Sequence, residues 1–224
     1  MYLLVWDIDG TLIRTQGAGK RAMEKAFFEL YGIKDGFKYI SMAGRLDPLI
    51  LKEALMLHGI EKEDNKIFFE LYCKYLQEEI KKTSFSWAMP GTIELLETLY
   101  KKGCFYNALG TGNIEEGARI KLSVHDMNKF FPVGGFAETE TERWQIIQKA
   151  VVKSKKYFNI NFENSNIYVI GDTPYDIECA KILNLKSIGV ATGGYSEEHL
   201  LKCNANYVFK DFTNIKAFLS IFNH

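Results

Sequence analysis

The stretch LLVWDIDGT at residues 3–11 constrains this chain more than any other. Four apolar residues run straight into two carboxylates one residue apart, and Gly10 follows at once. YLLVW (2–6) is short, bulky and uninterrupted, the pattern of a strand buried on both faces of a parallel sheet. A strand's period of two sends Asp7 and Asp9 to one side, with Cα atoms roughly 6–7 Å apart. Like charges that close repel one another unless something offsets them. The rest of the sequence must supply that compensation.

From residue 89 onward, apolar runs alternate with helical patterns. Strands are expected at 104–110, 132–136 (weak), 166–171, 186–191 and 205–209. Helices are expected at 92–102, from about Glu115, at 142–158, in PYDIECAKILN, in SEEHLLKC and near 213–222. Such alternation means a parallel sheet with right-handed crossovers. Between the first strand and this region lies a block with helical period and no strand-like segment. GKRAMEKAFFELYG (19–32) carries Ala22, Ala26, Phe27 and Leu30 on one stripe and stops at Gly32. RLDPLILKEALMLHG (45–59) has Asp47 as its expected N-cap and Pro48 at the first helical position. A third amphipathic helix is expected over 62–82. The organisation is thus an α/β core, residues 1–13 and 88–224, with a helical insertion at 14–87. Ligands of open α/β sheets bind beyond the carboxyl ends of the strands, so this insertion would sit over the site as a cap.

Composition excludes several classes. Lys+Arg and Asp+Glu both number 28, so the basic surplus of a nucleic-acid binder is missing. No apolar run approaches a membrane span, and Asp7 and Asp9 interrupt what a signal peptide would need. Cys73, Cys104, Cys179 and Cys203 are widely spaced, and the histidines make no metal-ligand spacing. A cytoplasmic protein with reduced thiols is expected, a monomer or homodimer with no nucleic-acid or membrane partner.

Three strands end in polar, glycine-bearing turns: WDIDGT (6–11), LGTGN (109–113) and VIGDTPYD (169–176). All fall at carboxyl ends. TQGAGKR (15–21) is no P-loop, because Arg14 stands where the first glycine belongs, and GTGNIE lacks the third glycine of a dinucleotide fingerprint. GDTPYD adds Asp172 and Asp176 to the acidic pair. Oxygen-only ligands around a small site suit Mg²⁺. Capping of the following helix would account for Asp172 alone, but not for Asp7 and Asp9.

DIDGT, LGTGN and GDTPYD, in that order, resemble the haloacid dehalogenase-like hydrolase superfamily. The likeness is to its phosphatase and phosphoglycolate phosphatase-like members, with a helical cap after the first strand, and it spans nearly the whole chain. It implies an α/β, Rossmann-like core under an all-α cap, and a small phosphorylated metabolite as substrate. It implies that Asp7 is the nucleophile, forming an aspartyl-phosphate, and that Asp9 is general acid and then base. Mg²⁺ would be held by the Asp7 carboxylate, the Asp9 backbone carbonyl and Asp172, with Asp176 as an outer or direct ligand. Thr111 would bind a phosphate oxygen, helped by backbone N–H groups near Gly10, Gly112 and Asn113. The family's usual Lys is missing from FAETETERWQII; Arg143, 29 residues before Asp172, is the expected substitute, ahead of Lys121 and Lys149. Arg45, in the cap segment SMAGRLDP, is a candidate substrate contact, while Tyr72, Phe85 and Trp87 are read as packing. The family's dehalogenases and phosphonatases lack an Asp at the place of Asp9, so Asp9 argues for phosphate-ester chemistry. The alternatives are a β-phosphoglucomutase-like sugar phosphomutase and a non-catalytic phosphate-binding protein.

Overall fold

The structure, a computed structural model, describes residues 1–61, 64–82 and 87–222. Strand β1 (Tyr2–Trp6) is followed by β2 (Ile13–Arg14) and helices α1 (Ala18–Tyr31), α2 (Asp47–Leu57) and α3 (Asn65–Lys82). Then come β3 (Trp87–Ala88), α4 (Thr92–Lys102), β4 (Phe105–Gly110), α5 (Glu115–Ser123), β5 (Gly134–Gly135), α6 (Arg143–Phe158) and β6 (Ile167–Gly171). After these stand α7 (Pro174–Ile182), β7 (Lys186–Val190), α8 (Glu197–Lys202), β8 (Tyr207–Phe209) and α9 (Ile215–Ser220).

Six strands pair in parallel in the order β5-β4-β1-β6-β7-β8. Strand β1 lies inside, with Val5 level with Ala108 on one side and Val169 on the other. Its side chains alternate between two apolar clusters. Leu4 and Trp6 pack with residues such as Leu96, Phe212 and Phe218, and Leu3 and Val5 with Ala108, Ile147 and Ala150. Each such buried side chain contributes roughly 1.5–3 kcal/mol, which is why the run is apolar at every position. Trp6 donates Nε1–H to Asn107 Oδ1 at 2.9 Å, so that Asn107 is buried but satisfied. Strands β4 and β5 lie on one side of β1 and β6, β7 and β8 on the other, so the crevice of this open sheet opens at the carboxyl end of β1, beside Asp7.

The helical block has its own apolar cluster. Ala22, Ala26 and Phe27 of α1 meet Phe68, Tyr72 and Leu76 of α3. Ile114 and Ile120, from α5 and its approach, pack against that cluster and seat the block on the sheet-bearing part. Glu79 ties α3 to α1 through Arg21 (2.7 Å) and Lys25 (2.6 Å).

Several expected boundaries shift. The block is not free of strand at its ends: Ile13 pairs with Ala88 and Arg14 with Trp87, so the two passages between block and sheet run side by side, antiparallel. The strand expected at 132–136 shrinks to Gly134–Gly135. Helix α1 does end on a left-handed Gly32, whose N–H donates to the Phe28 carbonyl. The expected start of the third helix at 62, Phe85, and the side chain of Trp87 lie outside the described residues. Among the described residues no helix is long and apolar enough to cross a membrane, and the four cysteines form no disulfide.

Candidate active site

Strand β1 ends at Trp6, yet its ladder runs one residue further, because the Asp7 N–H donates to the Ile170 carbonyl at 2.9 Å. The chain then turns sharply: the Ile8 carbonyl accepts from the N–H groups of Leu12 (2.9 Å) and Ile13 (3.1 Å). Gly10 makes that turn possible with φ +87°, and a Cβ there would also stand 2.6 Å from Asp172 Oδ2. The turn separates the two carboxylates that strand period would have kept together. Asp7 is buried at 6% exposure, while the Asp9 side chain is 44% exposed.

Arg143, the first residue of α6, meets Asp7 where the family's Lys was expected. Its Nη2 lies 2.8 Å from Asp7 Oδ1 and 2.7 Å from Asp176 Oδ1, and its Nε also donates to Asp176 Oδ1 at 3.2 Å. Burial works against the guanidinium charge, but Asp176 and Asp7 outweigh it and hold Arg143 protonated. Asp176 accepts on its other oxygen from the Thr173 hydroxyl (2.7 Å) and N–H (3.1 Å), closing a capping box on α7. Both of its oxygens are therefore engaged, and Asp176 anchors the arginine. Asp172 is no helix cap, since Thr173 takes that place. Lys149 pairs with Glu138 and Glu140 and does not join the site.

Asp9 goes elsewhere. Its Oδ2 accepts from Lys121 Nζ (2.6 Å) and Asn113 Nδ2 (2.8 Å). Lys121 also donates to Asn113 Oδ1 at 2.6 Å, and Asn113 Nδ2 to Thr111 Oγ1 at 2.7 Å. Lys121 thus belongs to the site, but beside Asp9 and not Asp7. Its sequence signal is weak but present: Lys121 falls on the buried stripe of α5, seven residues after Ile114 and three after Ala118.

Asp7, Asp172 and Asp176 offer carboxylate oxygens within 4.8 Å of one another, all buried. The Asp9 side chain is not in this group. Burial first, then Asp7 and Asp176, push Asp172 up to about 8. Burial also raises Asp7 to about 6, against the pull of Arg143. These carboxylates carry more desolvated negative charge than one arginine offsets. An oxygen-only set of this kind fits a hard divalent cation, with Asp7 and Asp172 as the side chains best placed to hold it.

The site opens into a cavity of about 640 Å³ between sheet and helical block. Asp7, Asp9, Gly10, Thr111, Gly112, Asn113, Arg143 and Asp172 line it, as does Arg45; Asp176 stands behind the wall. The turn before α2 docks on the sheet-bearing part. Gly44 O accepts from Arg143 (3.2 Å), the Asp47 N–H donates to Gly112 O (2.8 Å), and Asp47 Oδ2 accepts from the Ile114 N–H (3.0 Å). Asp47 is thus not the N-cap of α2, which is Leu46; its carboxylate instead serves the N-terminus of α5, across the cleft. A carboxylate at a helix start is favoured wherever the helix comes from, so local sequence could not say which start it serves. Arg45 pairs with Glu53 at 2.5 Å and bonds the Ser41 carbonyl. Tyr72 is buried in the block's cluster while touching the cavity.

Comparison with known proteins bears on the family and the fold. The family model described as haloacid dehalogenase-like hydrolase matches residues 4–190. No curated protein matches the chain. Among solved structures, a hydrolase from Pseudomonas syringae superposes with TM-score 0.68 at 21% identity, covering 100% of both chains. A predicted phosphoglycolate phosphatase from Haemophilus somnus gives 0.69 at 17%, covering 98% of each. A Thermotoga maritima protein with a provisional β-phosphoglucomutase name gives 0.63 at 23%, covering 99% of each. With the family model spanning most of its length, the chain belongs to the haloacid dehalogenase-like hydrolases.

Proposed function

We propose that this hydrolase is a Mg²⁺-dependent phosphomonoesterase acting on a small phosphorylated metabolite through an aspartyl-phosphate. The observation that carries this reading is the different surroundings of two carboxylates on one cavity. Asp7 is buried against Arg143, and Asp9 is tied to Lys121 and Asn113 on the wetter side. Carboxylates with different surroundings take different roles. We take residues 1–13 and 88–224 as the catalytic core and 14–87 as its cap.

Asp7 attacks phosphorus, forming the new P–O bond while the ester P–O bond breaks. Asp9 gives its proton to the departing oxygen, and the alcohol leaves. Water then attacks phosphorus, its proton passes to Asp9, and the Asp7–phosphorus bond breaks to release inorganic phosphate. The Arg143 guanidinium, its Nε and Nη2 engaged by Asp176 and Asp7, holds Asp7 in line and places positive charge beside the phosphate. Thr111 and the N–H groups around Gly10, Gly112 and Asn113 are the remaining phosphate contacts. Mg²⁺, held by Asp7 and Asp172 with the Asp9 carbonyl, would supply charge to screen phosphate from the nucleophile. Arg45 and the turn before α2 line the same cavity and are the candidate contacts for the leaving group.

The sugar phosphomutase reading has one supporting likeness, the provisional name of the Thermotoga neighbour. The 44% exposure of the Asp9 side chain favours hydrolysis, since water reaches the group that would activate it. Phosphate release from a panel of phosphorylated metabolites with Mg²⁺, repeated with Asp7→Asn and with excess EDTA, tests the proposal. Undiminished release in either control rejects it, and an isomeric sugar phosphate as product selects the mutase.

A further inference from the structure

Lys121 sits where electrostatics alone would not put it. It is in the last turn of α5, where a cation is favoured beside the helix C-terminus and its exposed carbonyls. Its side chain instead folds back along the helix to Asn113, just before the N-cap, against the macrodipole. It is also 5% exposed. The start of α1 closes over it, since a Cβ on Gly19 would lie 3.6 Å from Nζ. A buried ammonium at the positive end of a helix is costly unless it is paired. The pair it makes is with Asp9, across 112 residues, reinforced by Asn113 on the same carboxylate oxygen.

The geometry points to Lys121 as the positioning residue for Asp9: with Asn113 it pins Oδ2, fixing the side-chain rotamer and leaving Oδ1 for proton transfer to the leaving oxygen. This rests on the phosphomonoesterase reading, in which Asp9 is the proton-handling group. Proton transfer needs its donor within hydrogen-bond reach of the reacting oxygen. An Asp held at one oxygen by two donors keeps that reach; one held by Asn113 alone swings in a half-open cleft.

The test compares two substrates with different need for a proton. The leaving group of 4-nitrophenyl phosphate departs without one; that of benzyl phosphate does not. Lys121→Met should lower kcat/KM on benzyl phosphate about tenfold or more beyond its loss on 4-nitrophenyl phosphate, and Lys121→Arg should recover part of the difference. Equal losses on both substrates would mean that Lys121 is only structural, and would overturn the inference. A wild-type protein inactive on every phosphate ester would instead overturn the reading beneath it. If Lys121→Met does not fold, Asp9→Asn and Asp9→Asn/Lys121→Met decide, because the double variant removes both partners of the pair. Their nitrophenolate bursts should have equal rates. A further loss in the double variant would show Lys121 acting other than through Asp9.

Discussion

Arg143 Nη2 stands 2.8 Å from Asp7 Oδ1, and both side chains are buried. One guanidinium therefore faces the Asp7 carboxylate while resting on Asp176, and it reaches the helical block through Gly44.

Removing it should be costly twice. Arg143→Ala should reduce kcat/KM on 4-nitrophenyl phosphate about 10²–10³-fold. It should also destabilise the fold by about 3–5 kcal/mol, because Asp7 and Asp176 are left buried without their cation. Arg143→Lys should recover stability better than rate, since an ammonium cannot copy the fork. Lys149→Ala, away from the site, should do neither; comparable losses for the two Ala variants would remove Arg143 from the mechanism.

Metal binding should rise steeply with pH. Asp7 at about 6 and Asp172 at about 8 lie above the usual carboxylate value. Their contribution to the stability of the metal-free protein is present at low pH and fades as pH rises through those values. Mg²⁺ binds the ionised forms, so the increase in Tm that it gives should be larger at about pH 9 than at about pH 5. An increment independent of pH would exclude these carboxylates as the ligands.

Gly112 tests the docking of the turn before α2. A Cβ there would lie 2.2 Å from the Arg45 carbonyl oxygen. Gly112→Ala should push the turn off the motif loop, costing about 1–3 kcal/mol and most of the activity. Gly194→Ala, with open space around it, is the control. Matching Tm and kcat/KM for both variants would show that the turn need not close so tightly.

Asp47 gives a pH signature distinct from the metal site. Burial raises it to about 7, opposed by Lys121 and the Ile114 N–H. Its folded value exceeds its unfolded one, so its contribution is full at low pH and lost as pH rises through about 7. Asn keeps an acceptor for Ile114 without the charge. The Tm of Asp47→Asn relative to wild type should therefore climb between about pH 5 and pH 8. A constant difference would mean that Asp47 does not titrate there.

Much of the core was legible because its signals are local. An apolar run buried on both faces reads as a central strand, Gly32 as a helix end, and GDTPYD as a strand running into a helix. Asp7 and Asp172 could be singled out for the same reason, since each ends a strand at the edge where ligands bind. Arg143 could be nominated only by position; its contact with Asp7 needed the packing of α6 against the sheet. Asp47 was misread because a carboxylate before Pro48 looks like a cap for its own helix, whereas it serves α5 from 67 residues away. Lys121 is harder to nominate, because the carboxylate it meets, Asp9, lies 112 residues away in sequence.

The sequence by itself determined the alternation that builds a parallel sheet, the edge on which chemistry could stand, and the acidic residues on that edge. Those follow from periodicity, glycine placement and the cost of burying charge, all of which act over a few residues. Only the tertiary structure decided that Asp7 and Asp9 part company, one to Arg143 and the other to Lys121. The turn at Gly10 rotates the second carboxylate out of the strand's plane, and the cations that receive the two come from helices over a hundred residues away, brought there by packing that no local pattern encodes.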